Sequence, residues 1–83
     1  MSNYGRLRAL DDILKERDRQ DAQWGGPTGD DGNTEADWMS YIHKQHQQWA
    51  YGQNFRERAV KIAALALAAI ESMDRKEKKD ANA

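Results

Sequence analysis

The stretch FRERAVKIAALALAAIESM, residues 55–73, decides the fold. Its apolar residues recur at helical spacing, so we predict a helix from about Phe55 to Arg75. Two neighbouring ridges carry these side chains, one with Phe55, Ala59, Ile62, Ala66, Ala69 and Met73 and the other with Val60, Ala63, Leu67 and Ile70. A helix that is apolar around most of its circumference is normally buried around most of it, so this helix needs other helices to cover it.

Two shorter helices precede this long helix. Over about residues 7–22, a narrow apolar stripe of leucines and Ile13 faces a charged side, which is typical of an amphipathic helix. Thr34, with Asp37 three residues later, predicts the start of a second helix that ends near Gly52. Asn54 and Glu57 form a similar capping pair at the start of the long helix.

The segment WGGPTGDDGN, residues 24–33, separates the first two helices. It holds the only proline of the chain and several of its glycines, which interrupt helices. We therefore predict a long loop here, and long loops in small domains are often functional.

These elements predict an all-α, three-helix domain over residues 1–76, followed by a disordered charged tail over residues 77–83. Two short helices leave part of the third uncovered, and small domains often need additional stabilisation. The chain has no cysteine, which excludes disulfides. We therefore expect the domains to assemble into a helical-bundle homo-oligomer.

Composition excludes several classes of protein. The formal charge of −1 argues against a basic protein that coats a nucleic-acid polymer. The N-terminus has no apolar signal segment, and the longest apolar run, residues 62–70, is too short to span a membrane. The cytoplasm is the expected compartment.

Sites for metal ions and covalent catalysis have little support in the sequence. His43 and His46 lie three residues apart, but a metal site needs a third ligand, and we interpret both as surface residues. Asp30 and Asp31 do not fit a calcium-binding loop, and we interpret them as part of a solvated loop of turn-forming residues. The second interpretation is that Asp30 or Asp31 caps a helix or pairs with an arginine. The serines have no evident neighbouring base. We assign no catalytic residue, metal or cofactor.

Aromatic residues are concentrated around the loop and the second helix. They are Trp24, Trp38, Tyr41, Trp49, Tyr51 and Phe55. Aromatic rings stack on nucleobases, and the amides of a glycine-rich loop can hold phosphates. Helical spacing favours a core position for Trp38, whereas Trp24 starts the loop and has no obvious packing role.

Two segments, ERDRQDAQWG at residues 16–25 and VKIAALALAAI at residues 60–70, resemble small bacteriophage proteins related to the all-helical MazG-like nucleotide pyrophosphohydrolases. The resemblance covers most of residues 13–74. That family holds magnesium with E-x-x-E on one helix and E-x-x-D on the next. Here the first motif reads His43-Lys44-Gln45-His46, and Glu57 is followed at the matching position by Val60.

The resemblance therefore implies a protein that binds a nucleotide without hydrolysing it, with Lys44, Arg58 and Lys61 holding phosphate in place of the metal. Its use would be to sequester a nucleotide or cyclic oligonucleotide signal of bacterial immunity in the host cytoplasm. The predicted ligand-binding residues are Arg17, Gln20, Gln23, Trp24, Gly25, Gly26, Tyr41, Gln45, Arg58 and Lys61.

Two other functions stay open. One is a divergent metal-dependent nucleotide pyrophosphohydrolase built from His43, His46, Glu57, Asp30 and Asp31. The other is an interaction module that inhibits a host protein through the apolar third helix. All three hypotheses predict a homo-oligomer.

Overall fold

The computed structural model describes residues 3–48 and 54–81. Within these ranges the chain is all-helical, which confirms the predicted all-α class, but it forms four helices and not the predicted three. The four helices are α1 (Tyr4–Trp24), α2 (Gly26–Asp30), α3 (Glu35–Gln47) and α4 (Phe55–Ala81).

Helix α4 organises the fold, because it packs against each of the other three helices. The core lies where α3 meets the middle of α4. Trp38 is buried there against Leu65 and Ala68. Ile42 and Met73 extend the contact. The core position predicted for Trp38 is thus confirmed.

Helix α1 is longer at both ends than the predicted range of about residues 7–22. Its end is set by Gly25, whose φ of 91° lies in the left-handed region that favours glycine. The Gly25 N–H donates to the carbonyl of Asp21 at 3.0 Å, which satisfies one of the last carbonyls of the helix.

The loop predicted over residues 24–33 is partly wrong, because residues 26–30 form the short helix α2. Pro27 stands in the first turn of α2, where a proline loses no hydrogen bond. Gly29 allows α2 to lie close to the end of α1. A Cβ at Gly29 would meet the carbonyl oxygen of Trp24 at 2.3 Å, so this contact requires glycine.

The predicted starts of α3 and α4 are confirmed. Thr34 Oγ1 accepts a hydrogen bond from the Asp37 N–H at 3.2 Å, and Asp37 Oδ2 accepts one from the Thr34 N–H at 2.9 Å. Asn54 Oδ1 accepts from the Glu57 N–H at 3.2 Å at the start of α4. The predicted end of the second helix near Gly52, together with Trp49 and Tyr51, falls outside the described residues.

Helix α4 also continues to Ala81, beyond the predicted end at Arg75. Charged residues from Asp74 onward extend the helix instead of ending it, since Glu and Lys are good helix formers. The division into a domain over residues 1–76 and a disordered tail over 77–83 stays a prediction.

Apolar surface is exposed mainly on α1, although the sequence pattern placed the uncovered surface on the last helix. Leu7, Leu10 and Leu14 are each about half or more exposed and follow one another along α1. Phe55 and Ile70 are the large exposed apolar residues on α4. In the part of the chain that is described, no helix is long and apolar enough to cross a membrane.

Candidate functional site

A cavity of about 470 Å³ lies between the end of α1, α2, α3 and the middle of α4, and we call it the aromatic cavity. Its volume is within the range of small-molecule sites. It is lined by Trp24, Gly29, Asp30, Asn33, Trp38, Tyr41, Lys44, Gln45, Gln48 and Leu65. This lining combines three aromatic rings with amide groups, one cation and one carboxyl group.

The three aromatic residues are placed by different elements. Trp24 is the last residue of α1 and is 49% exposed. Trp38 is 4% exposed and packs edge-on against Tyr41, with ring centroids 5.9 Å apart at an interplanar angle of 84°. The Tyr41 hydroxyl donates to Asn33 Oδ1 at 2.8 Å. Tyr41 is thereby held in place, while Trp24 leaves about half of its surface accessible.

Two buried polar atoms of the lining residues have no hydrogen-bond partner. They are Trp38 Nε1 and Asp30 Oδ2. Asp30 is 7% exposed, and its Oδ2 lies 3.7 Å from Arg17 Nη2, too far for a hydrogen bond. Burial raises the pKa of Asp30, against the opposing charge of Arg17. An unpartnered buried polar group costs roughly 1–3 kcal/mol, so both atoms lower the stability of the fold around the cavity.

Arg17 is not one of the residues that line the aromatic cavity, and its side chain connects α1 to α2 and α4. It is 6% exposed. Its guanidinium contacts Asp21 at 2.5 Å, Glu71 at 3.3 Å and Asp30 at 3.7 Å. Arg17 was predicted to contact a ligand, but its guanidinium is engaged by carboxylates of α1, α2 and α4.

The end of α2 is attached to α4 by a second set of polar contacts. Arg75 Nη2 donates to Asp31 Oδ1 at 2.8 Å, and the Ser72 hydroxyl donates to the same oxygen at 2.9 Å. Hydrogen bonds from Arg75 and Ser72 lower the pKa of Asp31. Asp30 and Asp31 each pair with an arginine, as one of the two sequence interpretations predicted. The α2 wall of the cavity is therefore fixed to α4.

A second cavity of about 420 Å³ lies between α1 and the first turns of α4, and we call it the charged cleft. It is lined by Asp12, Lys15, Glu16, Arg19, Asn54, Arg56, Glu57, Val60 and Lys61. Ion pairs join Arg19 to Glu16 at 2.5 Å, Arg56 to Asp12 at 2.8 Å and Lys61 to Glu57 at 3.7 Å. Its charges thus neutralise one another in pairs.

The predicted ligand-binding residues divide between these regions. Trp24, Tyr41 and Gln45 line the aromatic cavity. Arg58 stands next to it, because its Nη1 donates to Gln45 Oε1 at 2.6 Å. Lys61 lines the charged cleft instead.

The other predicted residues have contacts within the fold. Gln20 is buried and donates to Glu16 Oε2 at 3.1 Å, while Gln23 accepts from Arg19 Nη1 at 2.9 Å. Gly25 and Gly26 form the junction of α1 and α2, where both have positive φ. These residues shape the region around the cavity and are not among the described residues that line it.

Lys44, which the resemblance assigned to phosphate, also lines the aromatic cavity, whereas other lining residues were not predicted. Gln48 lies seven residues after Tyr41, so helical spacing places it on the same face and could have identified it. Asp30 and Asn33 come to the cavity through the turn between α2 and α3. No helical or strand periodicity in the sequence predicts that Asp30 and Asn33 lie at the cavity.

The residues proposed for a divergent hydrolase site have different surroundings in the structure. His43 and His46 are exposed on α3, and Glu57 pairs with Lys61 on α4. Asp30 and Asp31 are held by Arg17 and Arg75. Over residues 3–48 and 54–79, no group of three or more metal-binding side chains is gathered in one place.

Comparison of the chain with protein-family models, curated proteins and solved structures finds no significant match. The chemistry of the site therefore rests on the residues that line it.

Proposed function

We propose that this protein binds a nucleotide in the aromatic cavity and does not hydrolyse it. The observation that carries the proposal is the lining of the cavity, where Trp24, Trp38 and Tyr41 stand beside Lys44 and the side-chain amides of Gln45 and Gln48. An aromatic surface suits the face of a nucleobase, and hydrogen-bonding groups suit its edge.

Each part of a nucleotide has a matching group in this lining. Trp24 offers an accessible ring for stacking, which is worth about 1–3 kcal/mol per base in single-stranded nucleic-acid binding. Lys44 supplies a positive charge at the cavity for a phosphate. Gln45 and Gln48 offer amides that can bond to the sugar or the phosphate.

The non-catalytic part of the proposal is supported by the state of the carboxylates near the cavity. Asp30 and Asp21 face Arg17, and Asp31 faces Arg75. A magnesium-dependent hydrolase needs carboxylates that are available to the metal. These carboxylates instead hold α1, α2 and α4 together.

The resemblance to MazG-like bacteriophage proteins gives this binding a biological setting. We propose a phage protein that acts in the bacterial cytoplasm and sequesters a nucleotide or cyclic oligonucleotide used as an immune signal. Binding without turnover suits such a role, because a bound signal is removed from its receptor by mass action.

Isothermal titration calorimetry against a panel of nucleoside monophosphates, triphosphates and cyclic dinucleotides tests the proposal. We expect saturable binding of at least one ligand, and no phosphate release when magnesium or manganese is added. Absence of binding across the panel contradicts the proposal, and release of pyrophosphate favours the divergent hydrolase.

The exposed stripe Leu7, Leu10 and Leu14 supports homo-oligomerisation as part of the same proposal. Light scattering is expected to give a mass above that of the 9.5 kDa chain at micromolar concentration. Leu10→Glu is expected to lower that mass, while Arg8→Glu on the same helix is not. A wild-type monomer contradicts self-association and favours the alternative of an interaction module that inhibits a host protein.

A further inference from the structure

We propose that the phosphate group recognised in the aromatic cavity is a singly charged phosphodiester, and that Lys44, Gln45 and Gln48 at the end of α3 bind it. The assignment rests on the proposed nucleotide binding in this cavity and adds the kind of phosphate that the ligand carries. Its basis is the accessible polar groups of the lining, the direction of one amide and the small positive charge beside them.

The accessible side chains of the cavity are of two kinds. Trp24 is 49% exposed and Tyr41 is 41% exposed, so part of each ring can contact a ligand. Lys44 and Gln48 are exposed, and Gln45 is half-buried. These three polar residues are neighbours on the surface of α3, because Gln48 follows Lys44 by four positions and Gln45 by three. A group of hydrogen-bond donors therefore lies beside the aromatic surface, within reach of a ligand.

The amide of Gln45 is oriented by Arg58. Arg58 Nη1 donates to Gln45 Oε1 at 2.6 Å. Because a guanidinium offers only donors, it bonds to the oxygen of an amide and not to the nitrogen. The nitrogen of Gln45, with its N–H groups, is therefore the end of the amide that a ligand can use. N–H groups suit the oxygens of a phosphate, which accept hydrogen bonds.

The positive charge available to this phosphate is small. Lys44 is the one cation among the described residues that line the cavity, and the carboxyl group of the lining, Asp30, faces Arg17. Lys44 stands in the last turn of α3. The carbonyl groups at the end of a helix carry a partial negative charge of roughly half an elementary charge, which offsets part of the charge of Lys44.

A phosphodiester matches this lining better than a terminal phosphate does. A phosphodiester carries one negative charge, as in the backbone of a nucleic acid. A phosphate monoester carries about two negative charges at pH 7, and a triphosphate carries more. Neutral amides such as those of Gln45 and Gln48 bond to phosphate oxygens without neutralising their charge. One lysine with two amides therefore favours the singly charged group, since charge without a counter-charge is unfavourable beside aromatic rings.

Calorimetry on the full chain tests the assignment with ligands that share a base. Adenosine has no phosphate, cyclic AMP and the dinucleotide ApA have one phosphodiester, and AMP and ATP have more highly charged groups. The matching guanine set is measured in the same way. For the base that binds more tightly, we expect a phosphodiester to bind about tenfold better than the nucleoside, the monoester and the triphosphate. Comparison of the cyclic ligand with the dinucleotide distinguishes a cyclic from a linear phosphodiester.

Substitutions that remove one donor each identify the groups responsible. Lys44→Gln removes the charge and is expected to weaken phosphodiester binding about tenfold without changing nucleoside binding, and Lys44→Arg is expected to keep the wild-type affinity. Gln45→Glu can keep the contact with Arg58 but replaces the N–H groups by an acceptor, so the same selective loss is expected. Lys15→Gln is the control, because Lys15 is an exposed lysine of the charged cleft, and it is expected to bind as the wild type does.

A substitution that adds charge tests the assignment in the opposite direction. Gln48→Lys places a second cation on the same surface of α3, and a lysine is favourable at the end of a helix. We expect this variant to bind ATP more tightly than the wild type does, with a smaller gain for cyclic AMP. Equal gains for the two ligands would contradict a preference that is set by charge.

The possible outcomes separate this assignment from the proposed function. If no nucleoside or nucleotide binds, the proposed function and the assignment fail together. If AMP or ATP binds as tightly as the phosphodiesters, nucleotide binding stands and only the phosphodiester assignment is overturned. Equal binding of the nucleoside, or unchanged phosphodiester binding in Lys44→Gln and Gln45→Glu, also overturns it, because α3 then makes no contact with the phosphate. If Gln45→Glu does not fold, Lys44→Gln decides, since Lys44 is exposed.

Discussion

The aromatic cavity and the charged cleft have similar volumes, about 470 and 420 Å³, but their linings differ in kind. In the cleft, basic residues pair with acidic ones, as Arg19 does with Glu16 and Lys61 with Glu57. In the cavity, Trp38 Nε1 and Asp30 Oδ2 are buried without hydrogen-bond partners.

The difference shows why charge alone is a poor guide to a site. Lys61 was predicted to hold phosphate in place of the metal of the resembled family, yet its amino group already faces Glu57 at 3.7 Å. A ligand at the cleft would have to compete with such pairs, whereas in the cavity Trp24 leaves about half of its surface accessible for stacking.

The largest effect is expected from removing Arg17, which holds Asp30 at the wall of the aromatic cavity. Arg17→Ala leaves the buried Asp30 and the partly exposed Asp21 and Glu71 without a counter-charge and is expected to lower the free energy of unfolding by about 3–5 kcal/mol. Arg19→Ala at the charged cleft removes a pair whose arginine is half-exposed and is expected to cost about 1 kcal/mol. Urea denaturation followed by circular dichroism measures the free energy of unfolding of both variants. Equal losses would contradict the expected difference between the aromatic cavity and the charged cleft.

A smaller effect is expected at the contact between α1 and α2. Gly29→Ala places a methyl group 2.3 Å from the Trp24 carbonyl oxygen, so α2 must shift, at a cost of about 1–3 kcal/mol. Gly32→Ala is the matched control, because its methyl group meets only the Gly29 carbonyl at 3.5 Å. Urea denaturation of both variants measures this difference in stability. If Gly29→Ala and Gly32→Ala are equally stable, the close packing of α2 against the end of α1 is wrong.

The smallest effect is expected in the pH dependence of stability. The pKa of Asp31 is lowered in the folded state by hydrogen bonds from Arg75 and Ser72. Its stabilising contribution is therefore present above the unfolded pKa of the group and is lost as pH falls through the folded one. Asp31→Asn is expected to lower the thermal midpoint at pH 7, and this deficit is expected to close below about pH 4.

Thermal scans between pH 7 and pH 3 measure the effect, with the exposed Asp18→Asn as the control for loss of a carboxylate. A deficit for Asp31→Asn that stays constant with pH would show that the Asp31–Arg75 contact does not stabilise the α2 wall.

The sequence predicted the parts of the fold that depend on local chemistry. The all-α class, the capping pair Thr34–Asp37 and the buried Trp38 each follow from residues close together in the chain. Helix α2 was missed because glycine and proline usually interrupt helices, although Pro27 is compatible with a first turn.

The sequence likewise predicted those parts of the candidate site that depend on residues close together in the chain. Trp24, Tyr41 and Gln45 were identified from aromatic concentration and helical spacing, and they line the aromatic cavity. The contact of Arg17 with Glu71 was not predicted, because the two residues are 54 positions apart in the chain. No local pattern reports such a pair, so an arginine engaged in the fold and one available to a ligand look alike in sequence.

The most direct test of the central claim compares Trp24→Ala with Lys61→Ala in calorimetric titrations of the tightest-binding nucleotide. We expect Trp24→Ala to weaken binding about tenfold or more, because it removes the accessible stacking ring of the aromatic cavity, and Lys61→Ala to bind as the wild type does. Loss of binding in Lys61→Ala with unchanged binding in Trp24→Ala would place the ligand in the charged cleft and contradict the account.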